Sequence, residues 1–122
     1  MDRPASQKQE WIDLSFLRIY SGDNKEVMKK FILAFLERTP AAIAMIEEQL
    51  AAKDFHALAR TVHSLKPQLS YVGITALSET VTAIEESARD MMQTDVISSH
   101  LDKMKLILNN AYEELRNELN TL

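Results

Sequence analysis

The sequence predicts an all-α fold: an antiparallel up-down four-helix bundle with one or two short extra helices at its N-terminus. Three observations lead there. The 122 residues are 46% hydrophobic yet hold only two glycines and three prolines, too few turn formers for a sandwich of short strands. Apolar residues recur three or four apart through four long segments, the period of an amphipathic helix. The links between these segments are short, so successive helices must run antiparallel. The length suits one domain, with residues 1–10 read as a flexible N-terminus and 11–122 as the single folded unit.

Residues 1–10 are polar, contain Pro4 and show no periodicity. The apolar stretch from Trp11 to Leu17 stops at Ser21-Gly22, with Gly22 as terminator. Asp23, with Glu26 three residues on, reads as a capping box for the next helix. That helix carries Val27, Phe31 and Phe35 as its stripe, with Met28 and Ile32 beside it. Thr39-Pro40 marks either a new helix or a bend in one long helix that runs to about Lys53. Asp54 is the next N-cap, and Gly73 ends the segment that follows. Thr75 or Ser78 caps a helix with Leu77, Val81, Ile84 and Ala88 as its stripe, reaching about Met92. After the polar link Gln93-Thr94-Asp95 comes a last helix with Val96, Leu101, Met104, Leu108, Ala111, Leu115 and Leu119.

Composition excludes several function classes. With no cysteine there is no disulfide, thiolate metal site or thiol catalysis, which fits a reducing compartment. No apolar run approaches the ~20 residues of a membrane span. The first residues lack a basic start and an apolar core, so no signal peptide is expected. A net charge of −4 with scattered basic residues argues against nucleic-acid binding. The default setting is the cytoplasm.

The chemistry concentrates between Phe55 and Val72. Leu58, Val62, Leu65, Leu69 and Val72 are spaced 4, 3, 4, 3 and form a core seam. At about 100° per residue His63 points roughly 140° away from that seam, toward water or a partner. Ser70 lies almost beneath it, Arg60 and Pro67 flank the same face, and Lys66 stands at the border, able to reach back toward the ring. On periodicity alone an exposed histidine is an ordinary solvated residue. Pro67 alters that reading, because inside a helix it removes the amide that would bond the carbonyl of residue 63 and costs ~3 kcal/mol. The seam runs on through Leu69 and Val72, so a continuous helix kinked beneath the histidine is expected.

These residues resemble the phosphorylation signature of the histidine-containing phosphotransfer (HPt) family. The stretch His63-Ser-Leu-Lys66-Pro-Gln-Leu-Ser70-Tyr-Val-Gly73 has its apolar residue two on, lysine three on, small residues at four and seven, and glycine at ten. Also similar are the Asp-Leu-Ser-Phe-Leu opening, the Gly22-Asp23 start, the Phe-Leu-Glu-Arg-Thr-Pro bend, Lys53-Asp54 and the Leu77 to Glu85 helix. The resemblance spans roughly residues 12–120, and its departure is Pro67, where the family has glycine or another small residue.

The resemblance implies a phosphocarrier of a multistep phosphorelay rather than an enzyme. His63 would accept a phosphoryl group from a receiver-domain aspartate and pass it to another receiver. Imidazole suits the task because its neutral ring nitrogen is nucleophilic near pH 7. Lys66 is either the charge that balances the phosphate or a solvated flank lysine, and Arg60 either orients phosphate or partner or is simply solvated. Ser70 and Gly73 provide clearance, Gly73 by close helix approach or as a C-terminal cap, and Pro67 narrows which partners dock. Between residues 53 and 70 three cations (Lys53, Arg60, Lys66) face one anion (Asp54), a basic surface suited to an acidic receiver pocket. No cofactor or metal is expected on the chain; Mg²⁺ would come with the receiver. The partners implied are receiver domains of response regulators or hybrid kinases, met by a monomer. Its own Met1 favours a stand-alone protein.

The remaining features have plainer readings. His56 lies about 10.5 Å of helix rise from His63, too far to share a metal, and is expected to be solvated. His100 has no partner at helical spacing. Tyr71 is either a docking aromatic or lies against a neighbouring loop. Trp11, Phe31 and Phe35 belong to the core or its end, and Glu85, Glu86 and Asp90 to a solvated helix face. No glycine-rich phosphate loop is present, so the chain is not itself a kinase. The rival of another class is a helical adaptor that binds receivers without being phosphorylated.

Overall fold

The computed structural model describes residues 11–90 and 94–122. Among them lie five α-helices, one 3₁₀ turn and no strand: α1 (Ser15–Ser21), α2 (Lys25–Ala51), α3 (Phe55–Tyr71), the turn Thr75–Leu77, α4 (Ser78–Arg89) and α5 (Thr94–Thr121). Helix α3 packs on α2 and α4, and α5 closes the ring against both α4 and α2. This is the expected four-helix bundle with one short extra helix, α1, laid on α2. Residues 1–10, read as a flexible N-terminus, and Met92 and Gln93 lie outside the described residues.

Local chemistry sets the boundaries. Asp13 accepts hydrogen bonds from the Ser15 amide at 3.0 Å and the Ser15 hydroxyl at 2.6 Å, which starts α1. These bonds, the side-chain one foremost, hold the Asp13 carboxyl below its ordinary range. Gly22 ends the helix in the left-handed region at φ 63°, as expected. The next cap is Asn24, not Asp23: Asp23 is itself left-handed (φ 62°), whereas an N-cap is extended, and Asn24 accepts from the Val27 amide at 3.1 Å.

Helix α2 continues unbroken through Pro40. Its buried line is Met28, Ile32, Phe35, Thr39, Ile43, Ile46 and Leu50. The expected stripe is off in phase, because successive steps of four drift about 40° each; Val27 is exposed and Phe31 only half-buried. Asp54 caps α3 through the Ala57 amide, and the seam Leu58, Val62, Leu65, Leu69 and Val72 is buried throughout. That seam keeps α3 helical across Pro67.

Gly73 is the C-terminal cap, one of the two readings the sequence left open, and its close neighbour is not a helix but the chain entering α1. At φ 66° it closes α3 in a left-handed cap, with its own N–H bonded to the Ser70 carbonyl and that of Ile74 to the Leu69 carbonyl. It is also a point of close approach: a Cβ there would meet the Asp13 carbonyl oxygen at 2.4 Å. The Asp13 amide donates to the Val72 carbonyl at 3.0 Å, so the stretch of chain entering α1 is bound to the end of α3. Neither Thr75 nor Ser78 caps α4 with its side chain, because the 3₁₀ turn runs straight into the helix. Leu77, Val81, Ile84 and Ala88 are buried as expected, and α4 ends at Arg89. In α5, which starts at Thr94 inside the expected link, Ile97 takes the buried place assigned to Val96.

Candidate functional site

His63 stands on the outer side of α3 with its side chain 66% exposed, in agreement with the helical phase. Its ring is not free. Nδ1 lies 2.8 Å from Oε2 of Glu85, which comes from α4 and is 2% exposed. Lys66 Nζ lies 2.6 Å from the other oxygen, Oε1, and Arg89, one turn along α4, bonds Oε2 as well. One buried carboxylate thus gathers a histidine, a lysine and an arginine at the α3–α4 seam.

The assignment of Glu85 to a solvated face is therefore wrong, while its neighbours Glu86 and Asp90 are exposed as expected. A signal was present: Glu85 is four residues after Val81 and three before Ala88, both buried, so it sits beside the apolar stripe. A carboxylate in such a place is rarely buried without partners. The sequence reading also missed Arg89, although it stands four residues after Glu85, the helical spacing of an ion pair.

Burial works to raise the proton affinity of Glu85. The hydrogen bonds from Lys66 and His63 and the charges of Lys66 and Arg89 outweigh it and hold the carboxyl below its ordinary value of 4.5. Glu85 is ionised at neutral pH, and an ionised carboxylate only accepts. The His63 ring must then donate from Nδ1, which leaves Nε2 as the basic nitrogen.

The other expected site residues divide around this hub. Arg60 is exposed and lines a groove between α3 and α4 with His56, His63, Glu85 and Arg89. Lys66, Ser70 and Gly73 line a second groove with Thr75 and Ser78. Pro67 is exposed and lines neither. Lys66 reaches to Glu85 instead of to the ring, so it touches His63 only through the shared carboxylate. Among the described residues no group of three or more His, Asp or Glu could hold a metal ion.

Further along α3, Tyr71 lies among aromatic rings. Its centroid is 5.3 Å from Phe16 and 5.8 Å from Tyr20 on α1, and 5.3 Å from Phe31 on α2. Phe16 and Tyr20 are exposed, as is Ile19 between them at 79%. Trp11 packs at the edge of the core, and Phe35 is buried against Tyr112.

The family model for the Hpt domain matches residues 30–122. The chain belongs to the Hpt domain family. Membership implies histidine phosphotransfer in a phosphorelay and interaction with receiver domains. The matched part of this Hpt domain contains His63, Lys66, Glu85 and Arg89; α1 precedes it. Comparison with curated proteins and with solved structures finds no match. No helix among the described residues is long and apolar enough to cross a membrane.

Proposed function

We propose that this Hpt domain takes a phosphoryl group on Nε2 of His63 from the aspartyl phosphate of one receiver domain and delivers it to the aspartate of another. The observation that carries this reading is an exposed imidazole whose Nδ1 is held by a buried, ionised carboxylate. The Nε2 lone pair attacks phosphorus, the P–O bond to the aspartate breaks, and the aspartate leaves as carboxylate. Lys66 and Arg89 place positive charge beside the arriving phosphoryl group. The receiver brings Mg²⁺, and the chain brings no cofactor of its own. Arg60 and the clearance at Ser70 and Gly73 shape the surface the receiver meets.

Docking extends to the aromatic patch. Tyr71 is eight residues beyond His63 on the same helix, about 12 Å along its axis, within reach of a receiver that covers the histidine. A patch of exposed rings rimmed by polar residues is the usual centre of such an interface. The protein acts as a cytoplasmic monomer.

The test incubates the chain with a phosphorylated receiver and Mg²⁺. Acid-labile, alkali-stable phosphate is expected on the wild type and absent from His63→Gln. Equal labelling of both would remove His63 from the mechanism. No label on either, with receiver binding retained, would identify an adaptor that uses the aromatic patch alone.

A further inference from the structure

We infer that Glu85 keeps the phosphorylated ring of His63 protonated on Nδ1, and thereby sets how readily the phosphoryl group leaves; this rests on the phosphorylation of His63 proposed above. With phosphorus on Nε2, the ring either carries a proton on Nδ1 or presents a lone pair there. The lone pair would face Oε2 of an ionised carboxylate across 2.8 Å, two acceptors with no hydrogen between them. The buried position of Glu85 leaves water little room to separate them. The arrangement therefore favours the protonated phospho-ring.

That form is the reactive one. When the P–Nε2 bond breaks, its electron pair returns to Nε2 while a receiver aspartate bonds to phosphorus. If Nδ1 holds a proton, the leaving group is neutral imidazole; without it, the leaving group is an imidazolate anion, a far poorer one. The ring starts as the neutral Nδ1–H tautomer, becomes a phospho-imidazolium on attack, and returns to the same tautomer on transfer. No proton moves at any step. Glu85 is thus a positioning residue that touches neither phosphorus nor the receiver.

The charged groups around the ring are Lys66 and Arg60 on α3 and Glu85 and Arg89 on α4, with the titratable His56 one groove wall away. The cations oppose ring protonation, but the Lys66 and Arg89 side chains are 38% and 60% exposed, so water and salt screen them. The phosphoryl group adds negative charge of its own beside them. Arg89 and His63 share Oε2, so Arg89 also draws on the charge that faces the ring.

Phosphoramidate phosphorylates imidazole without any receiver: Nε2 attacks phosphorus and ammonia departs. On protein labelled in this way, the phosphohistidine of Glu85→Gln should survive about tenfold longer above neutral pH, one unit in ring proton affinity. The side-chain amide of that variant can donate to the unprotonated ring and so stabilise the slow form. Arg89→Met should shorten the lifetime. ³¹P resonances of the wild type should show the ring protonated to higher pH when folded than in urea. Superimposable decay profiles for wild type and Glu85→Gln, or a folded ring that loses its proton before the unfolded one, would overturn the inference. ¹⁵N spectra of the unlabelled wild type add a check that needs no phosphate and no variant: a ring mainly protonated on Nε2 at neutral pH also overturns it. Labelling by phosphoramidate but not by receivers would sink the proposed relay role and leave this inference standing.

Discussion

Helix α3 serves two regions built on opposite principles. In the α3–α4 seam, His63 and Lys66 are tied to a buried carboxylate on another helix, so Nδ1 of the ring and Nζ of the lysine each have a partner inside the fold. At the far end of the helix, Tyr71 packs on Phe16 and Tyr20 of α1 and on Phe31 of α2, and Phe16 and Tyr20 are exposed. The first arrangement fixes where atoms react; the second leaves apolar surface for something else to cover. The family match runs from residue 30, so it takes in the first region and stops short of α1. The matched residues hold His63, Lys66, Glu85 and Arg89 and also Tyr71 and Phe31 of the patch, whereas Phe16 and Tyr20 precede them.

The largest expected effect separates the two regions structurally. Gly73→Ala forces a side chain into the left-handed region and against the Asp13 backbone, so it should destabilise the protein by about 2 kcal/mol or more. The loss should fall on α1, whose entry is bound to the end of α3, and spare the Glu85 hub. Amide exchange measured helix by helix tests this: faster exchange in α1 with α4 unchanged is expected, and uniform acceleration would mean that the two regions fold as one.

A smaller effect separates them functionally. Ile19 is so exposed that Ile19→Asp should leave stability within about 0.5 kcal/mol. It should raise the receiver concentration needed for half-maximal transfer by about tenfold, as loss of ~1.4 kcal/mol of docking energy would. Labelling by phosphoramidate should not change. If the chemical reaction slows as well, patch and hub are not independent.

Acid should strain both regions, each through one carboxyl. Asp13 at the start of α1 and Glu85 in the hub are both held below their ordinary values of 3.8 and 4.5. A carboxyl lowered in the folded state contributes stability that is present above its unfolded value and lost as pH falls through the folded one. Urea midpoints should therefore drop as pH falls below about 4.5, and Glu85→Gln should flatten part of that decline. An unchanged slope in Glu85→Gln would mean that its partners do not stabilise the folded protein.

What the sequence discloses follows the same division. The α3 seam, the outward phase of His63, the Asp54 cap and the Gly22 and Gly73 ends are matters of local spacing, and all are legible. The buried line of α2 is easily misjudged because two adjacent apolar stripes differ by less than the width of a core face. Asn24 loses to Asp23 in a reading that lacks the backbone angle disqualifying Asp23 as a cap. The place of Glu85 beside the α4 stripe signals its burial, but its partners His63 and Lys66 come from another helix, and spacing within α4 does not reveal which face of α3 it will meet. Tyr71 likewise declares an aromatic ring but not its neighbours on α1 and α2.

Pro67 gives the finest test, since it lies four residues after His63 and four before Tyr71, between hub and patch on one helix. It has no amide for the His63 carbonyl, yet α3 continues because Leu65, Leu69 and Val72 are buried on the opposite side. Pro67→Ala restores that hydrogen bond, worth about 1 kcal/mol. It also gives the unfolded chain freedom that proline denies it, a loss of about 0.4–1 kcal/mol. Relief of the ring clash brings the gain to ~3 kcal/mol, so Pro67→Ala should resist urea better, by about 2 kcal/mol net. Slower transfer then reports geometry rather than lost stability. Receivers that need ring and patch in their present relation should transfer more slowly to Pro67→Ala, by a few-fold, while phosphoramidate labels it at the wild-type rate. If every receiver transfers to it as before, the backbone between the two regions is only a spacer, and His63 and Tyr71 meet a partner as separate contacts.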